Sequence, residues 1–283
     1  MEILNPGKRA EALIADLAIS DPAELDVEAI AFDAGVEVVY EPLTGCEASL
    51  VGFGDRAIAT VRPSGNRGRE RFSIAHELGH WLVHRGQSFQ CGVDDPDLNL
   101  ASDLPKEKQA DEFAAHLLLP GPLFNPLVKG PSKTGFKELG EIAQRFETSL
   151  LATALRLAKV DTLPVVLACY DQRGLRWQVS APHVPRRWWL KSSLDEDSFA
   201  FDLMTRGIPC PNLRKQSADT WFENDDAGEF EVLEQCVHTM NRDVLVLLHL
   251  TDVEMFERGF DPGVGNRRYN ESGSYVPSRS RRR

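Results

Sequence analysis

Apolar positions recur every three to four residues over 7–18 and 25–34, the second stretch introduced by Asp21-Pro22 and carried by Leu25, Val27, Ile30 and Ala31. Two short amphipathic helices are predicted there. The period then changes to two. Val36, Val38 and Tyr40 share one face, and with the segments 48–53 and 57–61, set off by Gly45, Gly54 and Asp55, they predict a small antiparallel sheet. Helical spacing returns over about residues 66–84 and again over 106–119, with an Asp- and Pro-rich loop at 91–105 between them. Pro120, Pro122, Pro126 and Pro131 stop helical structure repeatedly. Leu139, Ile142, Ala143 and Phe146, then Leu150, Leu151, Ala154, Leu155 and Leu157, predict a helical pair within 134–159 that turns at Glu147–Ser149.

A domain boundary is placed near Val160. Beyond it, segments 164–170 and 175–180 flank Asp171-Gln172-Arg173-Gly174 as a hairpin, and 230–240 with 244–250 form a second, the first strand of which could equally be helical. From Asn266 the chain is Ser-rich, nearly free of aliphatics and holds six Arg and one Glu, the composition of a disordered tail. The predicted class is α+β. It comprises residues 1–160 with the helical pair, a small mixed α/β C-terminal domain over 161–265, and a basic tail over 266–283.

Charge narrows the function. The 283 residues carry a formal net charge of −11, and removing the tail leaves about −16 on residues 1–265. Such a body disfavours bulk attraction to nucleic acid, which draws on basic surface. Glu2, Glu11 and Asp16 break any signal-peptide core. The most apolar run, Val244 to Leu250, is far short of the roughly 20 residues a membrane helix needs. Five scattered cysteines without a CxxC pair indicate reduced thiols and a cytoplasmic setting.

Within the helix predicted over 66–84 stands His76-Glu77-Leu78-Gly79-His80. At 100° per residue the two histidines lie about 40° apart on the helical surface, so both imidazoles can reach one Zn²⁺. Glu77 lies roughly 60 to 100° around, where it addresses a water beside the metal instead of the metal itself. Gly79 falls near the middle of the apolar face, where it costs about 1 kcal/mol against Ala and implies close approach of another backbone.

A third ligand is expected on the next helix. Ala110, Phe113, Ala114 and Leu117 define its buried face. Glu107 lies about 70° from the centre of that face and Glu112 about 150°. Phase therefore favours Glu107, leaving Glu112 as a surface charge. Asp111, one turn after Glu107, is positioned to accept the free N–H of a zinc histidine.

The run Arg71-Phe72-Ser73-Ile74-Ala75-His76-Glu77-Leu78-Gly79-His80-Trp81-Leu82-Val83-His84, followed by Glu107-x-x-Ala110-Asp111-x-Phe113-Ala114-Ala115-x-Leu117-Leu118-x-Pro120, resembles the signature of the ImmA/IrrE family of zinc metalloendopeptidases. The resemblance covers about residues 36–159 and fades afterwards. It implies a zincin-like, gluzincin-type catalytic domain in which His76, His80 and Glu107 bind zinc, or Mn²⁺ in its place, and Glu77 is the catalytic base. It also implies cleavage of a helix-turn-helix repressor, which derepresses stress-response or mobile-element genes. In the radiation-response members the C-terminal part is a GAF-like sensor, though no motif in 161–265 identifies one here.

Other residues are weaker candidates. His84, His116 and Tyr40 could each serve a developing oxyanion, but spacing assigns none of them, and His84 and His116 read better as structural and surface residues. Segment 57–61 could be an edge strand receiving an extended substrate, or an ordinary internal one. The helical pair could be a DNA-binding helix-turn-helix, but four basic against three acidic residues favour packing on the zinc domain. The alternative to a protease is a DNA-binding or protein-interaction regulator with a non-catalytic zinc site. Glu77 speaks against it, because a structural site gains nothing from an unliganded glutamate.

Overall fold

The computed structural model describes residues 5–84, 89–92 and 105–257. Most of the loop expected over 91–105 and the whole tail from Asn266 lie outside the described residues. The chain opens with helices α1 (Pro6–Asp16) and α2 (Val27–Asp33), then strands β1 (Val36–Tyr40), β2 (Cys46–Phe53) and β3 (Arg56–Val61). Helix α3 (Arg67–Val83), strand β4 (Phe89–Gly92) and helix α4 (Pro105–Leu118) follow.

The first sheet runs β1-β3-β2-β4. Strands β3 and β4 pair antiparallel with β2, as the alternation suggests, whereas β1 joins β3 in parallel. Strand β3 is thus internal, and the edge-strand reading of 57–61 is set aside. The hairpin folds back so that β3 lies between β1 and β2, a choice that periodicity cannot express.

The inner face of this sheet is covered by α3. Val36, Ala48, Leu50, Ala57, Ala59 and Val61 are buried with Ile74, Ala75, Leu78 and Trp81 in one apolar core. Trp81 fixes the helix on the sheet in two ways. Its indole N–H donates to the Ala34 carbonyl at 2.9 Å, and its ring lies so near Gly52 that a Cβ there would come within 3.0 Å of it. The Asn66 side chain caps the start of α3 by accepting from the Arg69 amide.

A single turn, α5 (Gly121–Phe124), leads to the helical pair α6 (Phe136–Phe146) and α7 (Leu150–Lys159). Its turn has explicit chemistry. Glu147 takes a left-handed conformation at the end of α6, and the Ser149 hydroxyl accepts from the Ala152 amide at 3.0 Å to start α7. The pair is packed, not free-standing. Phe136, Leu139, Phe146, Ala154, Leu157 and Ala158 are all buried in the core.

The rest of the described chain forms a five-stranded antiparallel sheet, ordered β6-β5-β9-β8-β7. Its strands are β5 (Val165–Asp171), β6 (Gly174–Ser180), β7 (Cys210–Ser217), β8 (Glu231–His238) and β9 (Val244–Leu250), and helix α8 (Phe199–Arg206) packs on β8. Both expected hairpins are present, and the segment that could have been helical is strand β8. The strand β7 and helix α8 carry no strong period and are not predicted.

Two hydrogen bonds tie this sheet to the start of α6. The Phe136 amide donates to Gln235 Oε1 at 2.8 Å, and His249 Nε2–H donates to the Thr134 carbonyl at 2.8 Å.

Candidate metal centre

Helices α3 and α4 cross at Gly79, where an added Cβ would lie 3.1 Å from both the Cα and the carbonyl oxygen of Ala110. The close approach expected from the sequence is therefore made by α4. It brings the first turn of α4 against the middle of α3, and three side chains converge. His76 Nε2 lies 3.0 Å from His80 Nε2 and 3.2 Å from Glu107 Oε2, while His80 Nε2 lies 3.4 Å from Glu107 Oε1. His76 and His80 are buried and Glu107 is half-buried. Among the described residues this is the one such cluster of three donors able to share an ion.

The donor set fits a divalent transition metal. Two imidazole nitrogens and a carboxylate are the ligand types of an open, catalytic zinc site. Electrostatics prepare the same state. The two histidines, with His76 foremost, hold the Glu107 carboxyl well below the usual carboxylate range. Burial pushes the His80 imidazole down, which favours its neutral, ligating form.

His76 is oriented by its other nitrogen. His76 Nδ1 lies 2.8 Å from Asp111 Oδ1, and when Nε2 gives its lone pair to an ion the ring's one proton sits on Nδ1, where the Asp111 carboxylate accepts it. Glu77 is fully buried on the same helix. Glu112 points elsewhere and accepts from the Asn5 side chain at 2.8 Å, as its helical phase suggests.

Two further candidates are committed outside the cluster. The Tyr40 hydroxyl donates to Glu28 at 2.7 Å. His116 corrects the surface reading. Its ring packs beneath Gly7 of α1, lies 2.8 Å from Glu11 Oε1 and 2.8 Å from the guanidinium of buried Arg156. Helical phase places His116 opposite Glu107 but cannot show that α1 covers that side of α4. His84 is less passive than its sequence reading. His84 Nδ1 stands 3.2 Å from His80 Nδ1, and its Nε2 stands 2.7 Å from Gln109 Oε1. Gln109 is not singled out by sequence, because a glutamine on a polar helix face carries no spacing signal.

Residues 31–158 match the family model described as the IrrE N-terminal-like domain, Peptidase M78. The radiation response metalloprotease IrrE of Deinococcus deserti is 33% identical over 119 residues, 38% of this chain and 37% of that protein. The protein of the same name from Deinococcus radiodurans is 25% identical over 164 residues, 58% of this chain and 45% of that protein. This chain thus spans less than half the length of either relative. A solved Mycobacterium tuberculosis transcriptional regulator shares the fold, with a TM-score of 0.55 at 15% identity over 87% of this chain and 76% of that one.

Proposed function

Residues 31–158 belong to the ImmA/IrrE family, whose model is the IrrE N-terminal-like peptidase domain, and on that premise we propose that this chain is a zinc-dependent endopeptidase acting on a helix-turn-helix transcriptional repressor. The observation that carries the reading is the convergence of His76, His80 and Glu107 within 4.8 Å of one another, with Asp111 holding His76 in the ligating tautomer.

In this reading the two histidines and Glu107 hold the ion, and Mn²⁺ could take the place of zinc. A bound zinc supplies a Lewis acid that polarises a carbonyl and acidifies water. Glu77 takes a proton from the attacking water and delivers it to the leaving amine nitrogen. Its complete burial keeps that transfer away from bulk solvent. The regulator reading gives Glu77 no task, whereas hydrolysis needs a base beside the ligands.

Two units are assigned, with the peptidase part over 1–160 and a C-terminal part over 161–265 to which a sensory role is given. A cytoplasmic location follows from the cysteine pattern, and no helix among the described residues is long and apolar enough to cross a membrane. The acidic body, about −16 over residues 1–265, is suited to the basic DNA-reading face of a repressor.

Incubation with a helix-turn-helix repressor encoded beside this protein, with Zn²⁺ or Mn²⁺, should give two discrete fragments. Chelator should stop the reaction, and operator DNA should slow it by covering the basic face. Sequence-specific DNA binding by this protein alone, with no fragment from the repressor, would reject the protease in favour of a regulator.

A further inference from the structure

We propose that His84 and Gln109 are positioning residues that fix the tautomer of His80 and so present its Nε2 lone pair to the metal. This inference rests on the metal-centre reading above. A neutral imidazole has one donor and one acceptor nitrogen, so ligation through Nε2 requires the His80 proton on Nδ1. That Nδ1 lies 3.2 Å from His84 Nδ1. Only one proton fits between two imidazole nitrogens, so His84 Nδ1 must be bare and its own proton must reside on Nε2. His84 Nε2 in turn lies 2.7 Å from Gln109 Oε1, an oxygen that accepts and cannot donate.

The amide oxygen therefore sets the polarity of the whole chain. Gln109 accepts from His84 Nε2–H, His84 Nδ1 accepts from His80 Nδ1–H, and His80 Nε2 is left with its lone pair. A donor at position 109 would reverse every link and place a proton on His80 Nε2, where the ion must sit. His76 and His80 are thus oriented by two different devices, a single carboxylate from Asp111 and a two-step neutral chain from Gln109. Helix α4 supplies both devices as well as the ligand Glu107.

The test uses the full chain carrying Gln109→Lys, Gln109→Glu or His84→Phe, with Glu107→Ala as a control. Zinc affinity is measured by competition titration, melting is followed on the metal-free protein, and the His80 tautomer is read by ¹⁵N NMR without metal. Removing such a partner weakens metal binding roughly 10–100-fold. That loss is expected for Gln109→Lys and His84→Phe, whereas Gln109→Glu, which keeps an acceptor, stays near the parent. The His80 proton should move from Nδ1 to Nε2 in Gln109→Lys. Parent-like zinc affinity and an unchanged tautomer in all variants would overturn the relay, as would an equal loss in Gln109→Glu and Gln109→Lys that tracks metal-free melting. If Glu107→Ala binds zinc as the parent does, the metal centre itself is wrong. The metal-free NMR reading then decides the relay separately.

Discussion

Gly79 and Ala110 touch backbone to backbone: a methyl group on Gly79 would stand 3.1 Å from the Ala110 Cα and 3.1 Å from its carbonyl oxygen. The neighbouring atoms are main chain of α4 and cannot swing aside. Because Glu107 rides on the same helix, the spacing of the two helices is also the spacing between the histidines and their carboxylate.

Gly79→Leu should therefore lose both stability and metal. Overpacking of a filled core costs about 1–3 kcal/mol, which outweighs the roughly 1 kcal/mol gained from better helix propensity. Urea denaturation of the metal-free protein should show the loss, and zinc titration should show weakened binding. A variant as stable as the parent would mean that the crossing is loose.

Glu77→Gln should abolish proteolysis while bound zinc stays near one per chain. The amide keeps the size of the side chain but cannot take a proton. Metal analysis showing that this variant loses zinc would instead make Glu77 a ligand.

Glu107→Ala should weaken zinc retention strongly, whereas Glu112→Ala should resemble the parent, since Glu112 lies outside the donor cluster and accepts from the Asn5 side chain at an exposed position. Asp111→Ala should fall between them, with a loss of roughly 10–100-fold in affinity from an unfixed His76. A competition titration that reverses the order of Glu107 and Glu112 would sink the assignment.

His249 gives the protein a defined acid weakness. It is fully buried, donates to Thr134 through Nε2, and its Nδ1 has no hydrogen-bond partner among the described residues. Burial pushes its pKa from the ordinary 6.5 down to about 4. The unfolded chain therefore takes up this proton first, and stability is lost as pH falls from 6.5 to 4, by about 3 kcal/mol. Glu234 works in the opposite sense, since burial raises it to about 7, but it is common to parent and variant. Unfolding free energies of the parent and His249→Gln, compared at pH 7 and pH 4, should converge by that amount in favour of the variant. A constant difference across this range would show that His249 does not titrate between the folded and unfolded states.

The sequence carries the site further than the fold. Helical phase alone separates Glu107 from Glu112, pairs Asp111 with a histidine and anticipates a near neighbour for Gly79, because all of these depend on one helix at a time. What escapes needs two elements at once. The parallel pairing of β1 with β3 depends on where a hairpin returns. The half-buried position of His116 depends on α1 lying across it, and the partner of His84 is a glutamine on another helix. Strand β7 and helix α8 are missed for a different reason. Only two residues of α8, Ala200 and Leu203, are buried, and β7 fully buries just Cys210, so neither leaves a strong apolar rhythm.

The two bonds that join Thr134 and Phe136 to His249 and Gln235 bear on how this protein can be dissected. The family model's match stops at residue 158, but the hydrogen-bond partners that seat the beginning of α6 lie some hundred residues later. A gene fragment ending there would uncover Leu157 and Ala158 and strip Phe136 of its acceptor. The region that the family model recognises is thus shorter than the region that must be expressed to keep it intact.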